Sequence, residues 1–295
     1  MPTMRDIKRR IKSITNIRQI TRAMKMVAAA KLRRAQERML NMRPYAREIE
    51  RILLRILPEL NIVDHPLLVE HEDPQKIGAL IISSDRGLCG GFNTNLVRKV
   101  QAFLKENSGK EVTCMAVGRK IERFLKRTGV DLLDSYVGVM DELTYTLAYN
   151  ISEKINEDFC KGRIETVYLI YNEFKSVMSQ NLIVKKILPL DIVHLKSLIP
   201  PEERGEGQSG VFEYEPESDE FANLILPRYL STMIYRAFLE SYASELSARM
   251  TAMGNATKNG EDMISSLTLT FNKARQAAIT KEILEIVGGA EALRG

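Results

Sequence analysis

No stretch of this sequence approaches the ~18 consecutive apolar residues of a membrane span, so direct insertion into a bilayer is not expected. The first 30 residues hold neither an apolar h-region nor a cleavage site, which argues against a secretory signal. They are basic and amphipathic, as a mitochondrial transit peptide is, but the same pattern runs unbroken to about residue 57 and reads as mature structure. Cysteine is scarce: Cys89, Cys114 and Cys160, with no CxxC spacing. That argues against a zinc site and a disulfide framework and fits a reducing cytosol. Tryptophan is absent, which decides nothing.

Phosphate-binding signatures are missing as well. The turn SSDRGLCGGFN, Ser83 to Asn93, follows the apolar run Ile77–Ile82 and precedes a helical pattern, where a phosphate loop would sit. No Lys-Ser or Lys-Thr follows Gly90-Gly91, however, and Gly87, Gly90 and Gly91 do not have GxGxxG intervals. Cys89 has no neighbouring histidine to activate it, since the only three are His65, His71 and His194. The glycines are better explained by a tight turn and close strand–helix contact. Asp141 and Glu142 are adjacent, which puts them on different helix faces, a poor acid–base pair.

What is present is a globular composition over 295 residues, 44% hydrophobic and 27% charged, enough for one large or two modest domains. The net charge is only +5, but it is unevenly spread. Arg5, Lys8, Arg9, Arg10, Lys12, Arg18, Arg22, Lys25, Lys31, Arg33, Arg34 and Arg38 are opposed only by Asp6 and Glu37. Such a stripe fits an acidic partner: nucleic acid, a lipid surface or acidic protein loops. A solvated helix face is the plain alternative.

The fold class read from this pattern is α/β, with both termini helical. Met4, Ile7, Ile11 and Ile14 keep coiled-coil spacing. The apolar seam then slips one step to Ile17, Ile20, Met24 and Val27, and resumes through Leu32, Ala35, Met39, Met42, Ala46, Ile49, Leu53 and Ile56. Pro44 predicts a kink or a change of partner, and Pro58 the end of the helix. The middle alternates strands (Ile77–Ser83, Val112–Val117, Leu132–Val137, Thr166–Glu173, Leu182–Leu188) with helices (Asn93–Lys105, Arg119–Lys126, Asp141–Asn156, the last N-capped by Asp141). That order predicts a mostly parallel, Rossmann-like sheet. An acidic segment, Pro200 to Glu220, includes the strand-like VFEYEP. A second long helix follows, with Leu239, Tyr242, Leu246, Met250, Met253, Ala256, Ile264, Leu267, Phe271, Ala274 and Ala278 on its seam. Gly254 and Gly260 weaken it and Gly288-Gly289 reads as its stop. The terminal helices should pack antiparallel, with Ala28-Ala29-Ala30 allowing close approach. The expected division is 1–58 for the N-terminal helix, 75–195 for the α/β domain, 196–218 for the loop and a foot strand, and 219–287 for the C-terminal helix.

Three stretches carry a resemblance: MRDIKRRIKSITNIRQITRAMKMVAAAKLRRAQ, SSDRGLCGGFNTNL and ARMTAMGNATKNGEDMISSLTLTFNKARQAAITKEILEIVGGAEAL. Together they resemble the gamma subunit of rotary proton-driven ATP synthases, at both ends and in the centre. The resemblance implies an antiparallel coiled coil plus a Rossmann-like domain. It implies no catalysis and no cofactor in this chain. Its role would be a central shaft turning inside three alpha and three beta subunits, linking the membrane c ring to the nucleotide sites on beta. By the same resemblance, Met24, Lys25, Arg275, Gln276, Thr280, Glu282 and Glu285 would touch the acidic lever loops of beta. Arg249 would couple the two helices, and Phe212 and Tyr214 would form the foot that meets the c ring and epsilon. The chain lacks the cysteine-bearing insertion of chloroplast relatives, so thiol regulation of that kind is not expected. Without a transit segment, the resemblance points to a bacterial enzyme, peripheral on the cytoplasmic face of the inner membrane. A basic coiled-coil protein that binds nucleic acid is the competing reading, weakened because the N-terminal helix has no interleaved aromatics for stacking. A nucleotide-binding enzyme is the third, and the missing fingerprint speaks against it.

Overall fold

The computed structural model describes residues 3–56, 65–177, 179–191 and 218–292. They divide into two compact units, Met1–Ala29 with Arg249–Gly295, and Ala30–Ala248. Two long helices, α1 (Met4–Ile56) and α5 (Ser218–Ala292), each contribute to both units.

The larger unit holds the sheet. Its strands are β1 (Lys76–Ile82), β2 (Glu111–Val117), β3 (Asp131–Tyr136), β4 (Thr166–Phe174) and β5 (Gln180–Leu188), in the order β3-β2-β1-β4-β5. The β1–β2, β2–β3 and β1–β4 pairs are parallel, and β5 returns antiparallel along β4. Six of the seven residues of central β1 are buried, as an apolar run covered on both faces requires. Helices α2 (Phe92–Glu106) and α3 (Arg119–Thr128) cover one face, where Leu96, Val100, Phe103, Ile121, Phe124 and Leu125 pack on Ile77, Ala79 and Ile81.

Two glycines in this unit are set by close approach. Gly118 has φ +94°, and a Cβ there would stand 2.3 Å from the Ser83 carbonyl oxygen. A Cβ at Gly78 would meet Ile164 Cγ2 at 2.9 Å. The helix expected to start at Asp141 is α4 (Tyr145–Cys160), capped instead by Thr144, whose hydroxyl accepts from the Leu147 amide at 3.2 Å. The Asp141 carboxylate is taken by side chains from α1 and α5, so it is not available as a cap.

In the smaller unit the two helices run antiparallel: Arg18 lies against Gly260, Thr21 against Thr257 and Lys25 against Gly254. The expected slip of the seam does not occur. Ile17, Ile20 and Val27 point outward, while Ile7, Thr21 and Ala28 are buried and Ile11, Ile14, Arg18 and, alone of the slipped set, Met24 are partly so. Positions 7, 11, 14, 18, 21, 25 and 28 thus keep one unbroken heptad register in which three successive seam positions are polar. The reason lies across the seam. Thr21 and Thr257 hydroxyls bond to each other at 2.9 Å, and a Cβ at 260 would stand 3.4 Å from Arg18 Cβ. The stems of Arg18 and Lys25 lie along the partner helix beside Gly260 and Gly254.

Helix α5 continues through Gly288-Gly289 to Ala292. Neither glycine has the positive φ that a helix stop uses, so the pair is not the stop expected. Helix α1 also continues through Pro44. Residues 200–217 of the acidic segment, VFEYEP among them, and Pro58 lie outside the described residues; its last three residues begin α5.

Candidate functional site

The first candidate place is the carboxyl edge of the sheet, where an open α/β fold would bind a ligand. Here the chain supplies its own anion. Asp85 Oδ1 accepts from the amides of Arg119 at 3.0 Å and Gly138 at 2.9 Å, and Oδ2 accepts from the Met140 amide at 3.2 Å. Ser83 Oγ takes a further amide of α3, that of Ile121, at 3.0 Å. The N-terminus of α3, next to the turn, is thus engaged by side chains of the turn itself.

Cys89 is buried below that turn. Asn93 Nδ2 donates to its Sγ at 3.0 Å, and Ser84 Oγ donates to the Arg86 carbonyl at 2.6 Å. The turn is an interlocked polar knot around a small thiol. The other buried thiol, Cys114, is pushed up to about 12 by desolvation first and then by the charge of Asp131, which keeps it protonated. Among the described residues no cluster of three or more His, Cys, Asp or Glu could hold a metal ion. A mixed-charge cavity of about 930 Å³ lies between α1, the end of β4 and α5. In its wall Glu240 Oε1 accepts from Arg236 Nε at 2.8 Å.

The second place is the surface of the helix pair. Lys25 is exposed, with the stem of its side chain beside Gly254, and Met24 is half-buried next to it. Arg249 is half-buried. Arg275, Gln276, Thr280, Glu282 and Glu285 are all exposed; the Thr280 hydroxyl donates to the Gln276 carbonyl at 3.0 Å and Glu285 pairs with Lys281. The two groups of expected contact residues are not brought together. From Gly254 to Arg275 is roughly 30 Å of helix at ~1.5 Å per residue. The register also places Met4, the first residue of α1, level with about Ala274. From Arg275 onward α5 is therefore beyond the reach of α1. Ile279, Ile283, Leu284, Ile286 and Val287 stand exposed there. Phe212 and Tyr214 lie outside the described residues.

Sequence reasoning missed Asp85 and misassigned Asp141. The signal at Asp85 was a carboxylate three residues beyond a parallel strand, beside the glycine-started helix that follows the neighbouring strand. The partners of Asp141 are 110 and 101 residues away, with no local signal.

Comparison with known proteins defines the class. The fold matches a chain of the central stalk and c-ring structure of the mitochondrial ATP synthase of Tetrahymena thermophila, with a TM-score of 0.62, 29% identity, and coverage of 80% of this chain and 99% of that one. It also matches the fold of a chain from the Euglena gracilis mitochondrial ATP synthase, with a TM-score of 0.67, 20% identity, and coverage of 98% and 94%. This is a central-stalk fold. A family model described as ATP synthase covers residues 3–293. The ATP synthase gamma chains of Pelotomaculum thermopropionicum and Heliobacterium modesticaldum are each 45% identical over 99% of this chain and 100% of their own length. The chain belongs to the ATP synthase gamma-chain family.

Proposed function

We propose that this chain is the central rotor shaft of a bacterial ATP synthase, turning within three alpha and three beta subunits and carrying torque between the c ring and the nucleotide sites on beta. In this reading it performs no chemistry and needs no cofactor. The observation that carries it is the full-length match to gamma chains, joined to a helix pair with a cationic side. Two features support the absence of catalysis in this subunit: the anion site at the sheet edge is filled by Asp85, and Cys89 is locked in a turn.

Met24 and Lys25 would meet the acidic lever loops of beta at one level, and Arg275, Gln276, Thr280, Glu282 and Glu285 at another about 30 Å away. Many modest charge contacts suit a surface whose every contact must break as it turns. Arg249 would couple the helices. The 196–218 segment, with Phe212 and Tyr214, would be the foot on the c ring and epsilon. No helix among the described residues is long and apolar enough to cross a membrane, which fits a peripheral position at the cytoplasmic face.

Native mass spectrometry of the tagged chain, recovered from its own membranes, tests this. One copy bound to a three-plus-three ring supports the shaft. Recovery with RNA or DNA, released steeply by salt, supports the nucleic-acid reading instead.

A further inference from the structure

One carboxylate in the larger unit joins three elements that are far apart in sequence. Asp141, in the loop between β3 and α4, accepts through Oδ1 from Lys31 Nζ of α1 at 2.7 Å and from Tyr242 Oη of α5 at 3.0 Å. The loop that carries it is held from the other side. Asp85, in the turn after β1, accepts from the amides of Gly138 and Met140. Residues 138–141 are therefore a short bridge, fixed to the sheet at one end by one aspartate and to both long helices at the other end by a second. The two long helices also meet the start of α4, at Tyr45 of α1, Tyr145 of α4 and Tyr235 of α5, whose rings stack edge to face at 6.5 and 5.7 Å.

We propose that Asp141 is a positioning residue that pins α1 and α5 to the sheet within this unit, so that the helices and the sheet turn together. The proposal rests on the rotor reading. An apolar helix seam is held by contacts without direction, and under load one helix can slide along the other. Hydrogen bonds depend steeply on distance and angle, so two donors converging on one carboxylate resist that sliding. Tyr rings packed edge to face hold the second point in the same way. Lys31 and Asp141 are about 39% and 49% exposed, so each bond alone is modest. Their effect comes from sharing an acceptor on a loop that is itself tied down. The Asp141 carboxyl lies below its usual range, chiefly through the Lys31 hydrogen bond, so it is charged at neutral pH.

The test uses the assembled complex with Lys31→Met, Asp141→Ala and the double exchange Lys31→Asp/Asp141→Lys. Singles that assemble at normal stoichiometry should lose about fivefold in proton-driven ATP synthesis while ATP hydrolysis stays within about twofold. The double exchange restores the ion pair with reversed sign but leaves the Tyr242 hydroxyl without its acceptor, so it should recover part of the loss. Normal synthesis in both singles, or no recovery in the exchange, overturns the pin. Hydrogen exchange on the full-length chain separates this from a failure of the rotor reading. Asp141→Ala should speed exchange about fivefold at Gly138, Met140 and the helix segments around Lys31 and Tyr242. Unchanged exchange there overturns the pin whether or not the chain is a rotor. Absence of any ATP synthase partner overturns the rotor reading and leaves the exchange result to decide the clasp.

Discussion

In the sheet unit Leu80, Ile81, Ile82, Leu96, Ile121 and Leu125 are all at most 1% exposed, whereas along the helix pair Ile17, Ile20, Val27 and Ile283 are each more than half exposed. The two regions are stabilised differently. The sheet is buried under α2 and α3 on one face and completes these apolar contacts within its own unit. The helix pair has only a narrow seam, and for three successive positions of α1 that seam is Arg, Thr and Lys. A helix with so little buried surface is weakly held in water. Its exposed apolar and cationic residues are what a surrounding partner would cover, as the rotor reading requires. The fold thus combines a self-sufficient anchor with a shaft completed by its surroundings.

The largest effect expected breaks the anchor. Gly118→Ala places a Cβ against the Ser83 carbonyl at a positive φ, where backbone cannot give way. It should destabilise the chain by more than about 3 kcal/mol, read from urea unfolding of the full-length protein. Stability close to that of the wild type would show that the β1–β2 loop crossing is slack and that the anchor is not as rigid as the burial implies.

On the shaft, the largest effect should be functional. Lys25→Glu reverses an exposed charge without touching the core, so folding and assembly should be normal while proton-driven ATP synthesis falls about tenfold. Synthesis near the wild-type rate would remove Lys25 from the contact surface. Smaller and of opposite sign are Gly254→Ala and Gly260→Ala. A Cβ at either position would lie 3.4 Å or more from the side chain across the seam, so each variant should gain about 0.5–1 kcal/mol. Melting of the full-length chain followed by helical circular dichroism reads this. A loss instead of a gain would mean that the Arg18 and Lys25 stems need the whole gap.

The smallest effect is expected at Cys89→Ser. The hydroxyl inherits the Asn93 hydrogen bond in nearly the same volume, and ATP synthesis should stay within about twofold of normal. A complete loss of synthesis in an assembled complex would reopen a chemical role for the turn and blur the contrast between anchor and shaft.

Much of the architecture was legible in the order of residues. Alternating apolar runs and helical patterns gave the strands of the sheet and the helices between them, because burial on two faces demands unbroken apolar runs such as Ile77–Ile82. The long terminal helices followed from three–four spacing, and their antiparallel packing from the sheet domain that returns the chain between them. The polar section of the seam did not, because a reading based on hydrophobicity chose Ile17, Ile20 and Val27 over Arg18, Thr21 and Lys25.

Spacing and composition were enough to determine the class of fold, since each is a local property of the chain, and the resemblance of three stretches to a known family pointed to the rest. The true register of the helix pair was decided by residues about 230–240 positions away: Thr257 bonds to Thr21, and Gly254 and Gly260 lie against the Lys25 and Arg18 stems. The work of Asp85 and Asp141 was likewise decided by tertiary structure. A carboxylate acquires its role from whichever donors the folded chain brings within about 3 Å, and that distance is not written in sequence separation.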